Sequence, residues 1–209
     1  LQQSSAASDV YKRQARYPAY NPIVAGGENA CVLHYVENNQ QLNNDDLLLV
    51  DAGCEYEMYA ADITRTFPVS GKFSDEQLAI YKVVLDAMNA AIDMVKPGNH
   101  IMQPQEISEK VITEGLVKLG LLDGDPEELH KSGAYKEFYM HKIGHWLGLD
   151  VHDAGDYVEG EEYMKFKPGM ITTIEPGIYI SSSMDVDDKW KGIGTVSYTH
   201  LTLPTIAGV

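Results

Sequence analysis

Residues 141–153 read His141-Lys142-Ile143-Gly144-His145-Trp146-Leu147-Gly148-Leu149-Asp150-Val151-His152-Asp153, which puts three histidines and two aspartates in thirteen positions. A packed core does not need that density of imidazole. A metal site or a proton-transfer site does, because histidine both ligates metals and titrates near neutrality. Three carboxylates elsewhere sit where they could join it. Asp51 ends the apolar run Leu47-Leu48-Leu49-Val50, Asp62 follows eleven residues later after a turn, and Glu175 ends a second apolar run and is pinned by Pro176-Gly177. A carboxylate at the end of a buried strand must be solvated or paired, since burying it alone is costly. Each acid on its own has an ordinary explanation as a turn cap or a salt-bridge partner; beside the histidine cluster they read as a set. Oxygen-rich donors with one imidazole suit manganese, cobalt, iron or magnesium. Shared carboxylates favour a pair of ions about 3.5–4 Å apart, which activate water and polarise a carbonyl. The remaining histidines would hold substrate and move protons.

Composition narrows the class. A chain of 209 residues with 44% apolar and 22% charged residues has the balance of one ordinary globular domain. Its net charge of −15, from 16 basic and 31 acidic side chains, argues against nucleic acid or an anionic membrane as partner. No apolar run approaches the roughly 20 residues of a membrane helix, and no signal peptide is visible. Two cysteines, Cys31 and Cys54, are neither a disulfide framework nor a zinc-site spacing, so buried free thiols and a reducing, cytoplasmic compartment are expected.

The elements that must position these groups alternate between strand and helix signals. Residues 30–36 read as a strand carrying His34, residues 46–51 as a short buried strand ending at Asp51, and residues 56–69 as a partly alternating strand holding Asp62. Ser74 is a good N-cap, with Asp75 and Glu76 in the first turn and Pro97-Gly98 as the stop; Leu78, Tyr81, Val84, Leu85, Met88 and Ile92 keep helical spacing between them. A second helix is predicted over about residues 105–119, with Ile107, Val111, Ile112, Leu116 and Leu119 on one stripe, and a short third one over 125–131. Strands return at 138–141, 170–174 and 177–180, which implies an α+β fold with helices covering one face of a sheet. The ends differ from the middle. Residues 1–14 lack a period, and residues 195–209 lack any charged side chain; both read as foreign tails around a catalytic domain at 15–194.

Taken together, Asn21-Pro22-Ile23-Val24, Gly27-Glu28-Asn29, Leu33-His34-Tyr35, Val50-Asp51-Ala52-Gly53, Asp62-Ile63-Thr64-Arg65-Thr66-Phe67-Pro68, Gly71-Lys72-Phe73, residues 144–153 and Ile174-Glu175-Pro176-Gly177 resemble the proline-specific metallopeptidases of family M24. These are the Xaa-Pro aminopeptidase and Xaa-Pro dipeptidase group, and the wording is closer to aminopeptidase P. The resemblance implies the pita-bread fold, a curved and mostly antiparallel sheet covered by helices, and two divalent ions, with manganese favoured and cobalt or zinc able to substitute. It makes Asp51, Asp62, His145 and Glu175 metal ligands, with Asp62 bridging. It places His34, His141 and His152 on the substrate side as catalytic groups. It implies hydrolysis of the bond between a first residue and a following proline by a metal-bridging hydroxide, in a homo-oligomeric parent protein. The alternatives are the dipeptidase and a non-catalytic peptide-binding module of the same fold.

Three departures qualify the match. The family segment Gly-Ile-Gly-Ile-Arg-Ile-Glu, whose Glu bridges both ions, is followed here only through Gly192-Ile193-Gly194, and Tyr198 falls in the place of that Glu. A phenol that ionises near pH 10 is a poor replacement. The family's separate N-terminal domain has no counterpart in these 209 residues. The last core strand would be foreign sequence, which predicts an incomplete core and an unpaired edge.

Overall fold

The structure, a computed structural model, describes residues 15–197 and 199–203. Three antiparallel strands, β2 (Ile23–Gly26), β3 (Leu47–Asp51) and β6 (Thr64–Pro68), form a sheet in the order β2-β3-β6. Its register sets Asp51 opposite both Ile23 and Thr64. A smaller sheet, β1 (Tyr17–Pro18), β4 (Cys54–Tyr56) and β5 (Tyr59–Ala60), closes the excursion between β3 and β6. Later in the chain come the hairpin β7 (Val158–Glu159) and β8 (Glu162–Tyr163), then β9 (Ile171–Ile174) and β10 (Gly177–Ile180). Strand β11 (Ile193–Val196) pairs with β10, and β12 (Thr199–Thr202) pairs with β9. Among the described residues every strand pairing is antiparallel, as expected of the α+β class.

Helix α1 (Asp75–Met94) begins in a capping box: Ser74 Oγ accepts from Gln77 N at 3.1 Å, and Gln77 Oε1 accepts from Ser74 N at 3.0 Å. It buries Ile80, Val84, Ala87 and Ala91, one residue round from the stripe of larger side chains read from sequence. The small alanines face the sheet and let the helix approach it, while Leu78, Tyr81 and Leu85 stay half-buried. Helix α2 (Gln103–Lys118) lies against α1 at Gly115, where a Cβ would stand 2.4 Å from Val83 Cγ1. Helix α3 (Pro126–Ser132) is capped by Asp125 and stops at Gly133 in the left-handed region. Ile80, Val84, Ile112 and Leu116 from the helices pack with Ile178, Ile180 and Ile193 from β10 and β11 into the main core.

Several expectations are corrected. Residues 138–141 form no strand; a 3₁₀ turn (Ala134–Glu137) precedes them, and the consecutive Phe138 and Tyr139 both bury into the core, which an alternating strand cannot do. Residues 30–36 likewise form no strand: a 3₁₀ turn covers Gly27–Cys31, and His34 adopts a positive φ of 56°. The segment 56–69 is broken into β5 and β6, with Asp62 in the connection. The edge of β9 is not left open, because β12 pairs along it from Ile171 to Ile174, and Leu203 is buried just beyond. Both cysteines are free but half-buried rather than fully enclosed. Tyr198 lies outside the described residues.

Candidate active site

The site grows from two backbone ladders. In the first, the pairing of β3 with β6 continues past the strand end, where Ala52 N donates to Ile63 O at 3.0 Å. That bond folds Asp62 back beside Asp51. In the second, residues 143–146 run along β9 as an irregular extra strand. Glu175 N donates to Ile143 O at 2.7 Å, Thr173 N to His145 O at 3.0 Å, and His145 N to Thr173 Oγ1 at 2.9 Å. Helix α2 fixes the start of that segment through a hydrogen bond from Ile143 N to Gln105 Oε1. Gly144 is required at its centre, because any Cβ there would lie 2.1 Å from Thr173 O.

The ladders bring the acids and the imidazole together. His145 Nε2 lies 3.2 Å from Asp62 Oδ2 and 3.3 Å from Glu175 Oε1. Thr173 Oγ1 donates to the same Glu175 oxygen at 2.6 Å. The Tyr20 hydroxyl donates to Asp51 Oδ1 and lies 3.2 Å from Asp62 Oδ1. His34, His141, His145 and His152 line one cavity with Asp51 and Glu175, and its volume is ≈ 330 Å³. A larger cavity of ≈ 440 Å³ between α2 and α3 holds glutamates, lysines and His130 but none of these groups. Six of the seven residues singled out from the sequence therefore line one cavity, and the seventh, Asp62, joins them through its contact with His145.

Electrostatics mark the cluster as crowded with negative charge. Burial pushes the Asp51 carboxyl up to about 6; the Tyr20 hydrogen bond opposes the shift and the Asp62 charge adds to it. Burial likewise raises Glu175 well above the carboxylate range, with the Thr173 hydrogen bond opposing and Asp62 and Asp51 reinforcing. Burial works against a charged His145, but its contacts with Asp62 and with the Trp146 carbonyl outweigh it and raise the ring's pKa. His141 is lowered by burial, and His152 by burial and by the neighbouring His145, whose ring centroid is 4.4 Å away.

A divalent ion fits this donor set. His145 Nδ1 lies 2.9 Å from Trp146 O, and a carbonyl can only accept, so Nδ1 carries a proton. In the neutral ring the Nε2 lone pair then faces two carboxylate oxygens, buried and without a well-angled hydrogen bond. Only a proton or a cation reconciles those three groups. A backbone acceptor on the other ring nitrogen is also how metal-ligating histidines are held. Among the described residues no three such donors already stand at metal-binding spacing; they touch one another and Tyr20 instead.

Sequence reasoning missed the supporting groups. Tyr20 is one of 13 tyrosines and carries no local signal. Tyr179 bonds His141: the His141 Nδ1–H faces Lys142 O at 2.8 Å, so Nε2 accepts from the Tyr179 hydroxyl at 2.8 Å. Thr173 and Gln105 act across long sequence separations and were read only as strand and helix positions.

The chain belongs to metallopeptidase family M24, whose pattern matches residues 2–203. It is 56% identical over 180 residues to the Xaa-Pro aminopeptidase of Haemophilus influenzae, covering 86% of this chain and 42% of that protein. It is 48% identical to the Escherichia coli Xaa-Pro aminopeptidase, covering 86% and 41%. Among solved structures, aminopeptidase PepP of Pseudomonas aeruginosa superposes with a TM-score of 0.93 at 51% identity, over 95% of this chain and 45% of that one. Escherichia coli aminopeptidase P with the inhibitor Pro-Leu superposes at 0.91 and 44% identity, over 94% and 45%. The fold is accordingly the pita-bread fold. The chain spans about two fifths of the length of the curated relatives it matches.

Proposed function

We propose that this chain carries the catalytic site of a metal-dependent Xaa-Pro aminopeptidase, which releases a first residue from a peptide with proline second. The observation that carries the reading is the meeting of His145 Nε2 with Asp62 and Glu175, beside Asp51, in a cavity also lined by His34, His141 and His152. Asp51, Asp62, His145 and Glu175 would hold two divalent ions, manganese by preference. Such ions supply Lewis-acid activation of water and of the scissile carbonyl. The protein's own groups do the rest. His141, neutral because burial lowers its pKa and fixed by Tyr179, presents an oriented imidazole to the peptide. His152, also held neutral, stands at the edge of His145, where it can accept or pass a proton. His34 reaches the cavity from a left-handed backbone position, a form of local strain found at functional sites.

The free cysteines support a reducing, cytoplasmic setting. No helix among the described residues is long and apolar enough to cross a membrane. The parent protein is proposed to be longer and homo-oligomeric, and residues 1–14 and 195–209 to be foreign to it. The gene sequence past Gly194 tests that origin. With Tyr198 in the position of the bridging Glu, this chain should bind its second ion weakly. The activity test uses the full-length parent on an Xaa-Pro tripeptide, with added manganese and again after chelation. Release of the first residue that vanishes on chelation is expected; release unaffected by the chelator, or none at all, refutes the reading.

A further inference from the structure

Lys142 stands out in the cavity. Its wall mixes apolar side chains with two acids and four imidazoles, and among the described residues Lys142 is the one lysine that lines it. The chain carries a charge of −15, so acid partners are plentiful. Among the described residues Lys142 nevertheless makes no salt bridge; the recorded ion pairs involve His130, Lys131, His145, Lys167 and Lys191. Its ammonium instead sits 5.5 Å from the centre of the Tyr157 ring. That ring is itself stacked on Trp146 at 5.6 Å, and the Tyr157 hydroxyl accepts from Trp146 N at 3.3 Å. A cation on an aromatic face keeps its N–H donors available. The stack Trp146–Tyr157–Lys142 therefore places the charge of the exposed Lys142 at the rim of the cavity.

We infer that Lys142 is a specificity residue that pairs with the C-terminal carboxylate of a short peptide, so that the site favours peptides only a few residues long. The inference rests on the peptidase reading above. Its second support is size: ≈ 330 Å³ lies at the small end of ligand cavities, so it holds only a few residues of a peptide. A free carboxylate at the far end of a short peptide needs a cationic side chain to pair with, and Lys142 is the lysine that lines the cavity. A longer peptide or a C-terminal amide offers no charge to pair.

The test compares prolyl-leucine with prolyl-leucinamide by calorimetry on the manganese-loaded full-length parent, for wild type, Lys142→Met and Lys142→Arg. The free acid is expected to bind about fivefold more tightly than the amide in the wild type, as for a partly exposed ion pair. The preference should disappear in K142M, persist in K142R and shrink as salt is raised. Equal binding of acid and amide by the wild type, or a preference that survives in K142M, overturns the role of Lys142 while leaving the peptide site intact. Failure of both ligands to bind overturns the peptidase reading and this inference together. The acid–amide comparison in the wild type decides the matter even if K142M does not fold.

Discussion

Replacing Gly144 with alanine perturbs the site without touching a charge. The new Cβ would lie 2.1 Å from Thr173 O, 2.8 Å from Thr173 C and 2.9 Å from Thr173 Oγ1. The obstacle is backbone, so a side-chain rotation cannot relieve it. Residues 143–146 must separate from β9 by about 1 Å to restore ordinary contact distances. Three of the hydrogen bonds across that seam anchor His145 and its neighbours: Glu175 N to Ile143 O, Thr173 N to His145 O, and His145 N to Thr173 Oγ1. At roughly 1 kcal/mol each, their loss costs about 3 kcal/mol. With a urea dependence of about 2 kcal/mol per M, the unfolding midpoint should fall by roughly 1.5 M. The same displacement carries His145 away from Asp62 and Glu175, so manganese affinity measured by calorimetry should fall at least about tenfold. Gly160→Ala is the control. It has open space around it and only a left-handed φ of 68° to strain, which predicts about 1 kcal/mol and unchanged metal binding. If Gly144→Ala unfolds at the wild-type midpoint and binds manganese equally well, the wedge between the two segments is not what holds His145.

Three other changes probe the same cluster. In metal-free protein the folded Asp51 carboxyl titrates at about 6 against an ordinary 3.8, so its contribution is fully present below 3.8 and is lost as pH rises through 6, a swing of roughly 3 kcal/mol. Asp51→Asn should therefore melt above wild type at pH 8 without metal and converge with it near pH 4; parallel pH–melting curves would contradict this. Tyr20→Phe removes the hydroxyl shared by Asp51 and Asp62, and should lower manganese affinity about tenfold with the circular dichroism unchanged. Thr173→Val keeps the shape but leaves Glu175 Oε1 and His145 N without their partner; a loss of about 2 kcal/mol in urea unfolding is expected, and an unchanged midpoint would show that those bonds are dispensable.

The parts of this molecule that were legible in the sequence are those where local chemistry and tertiary need agree. Ser74 and Gln77 announce a helix start and form it, and the run Leu47–Val50 announces a buried strand and delivers Asp51 at its end. The misread parts are short apolar runs, where period alone does not separate strand from irregular chain. Phe138 and Tyr139 are adjacent and both buried because the chain there twists out of a 3₁₀ turn, and no pattern of residue types records that. Following size misplaces the stripe on α1 by one residue, since Ile80, Ala87 and Ala91 are buried while Leu78 and Leu85 stay half-buried. In the site, the ligand types were readable because carboxylates and imidazoles are conspicuous beside apolar runs. Their holders were not: Tyr20, Thr173 and Gln105 act at separations of 31 to 42, 28 and 38 residues, distances set only by the fold.

That division has an energetic consequence. Asp51, Asp62 and Glu175 are brought to one point by backbone ladders that also organise the sheets, so the fold cannot form without assembling the negative charge. Burial raises Asp51 and Glu175, which means that their ionised forms oppose folding at neutral pH. His145, a single imidazole, can offset one charge at most. A divalent ion offsets more than one and binds only where the donors are already gathered, so its binding free energy adds directly to folding. Substitutions that neutralise an acid here should thus stabilise the metal-free chain while weakening the metal site, and a stabilised but metal-blind variant is the expected product of selecting this domain for stability alone.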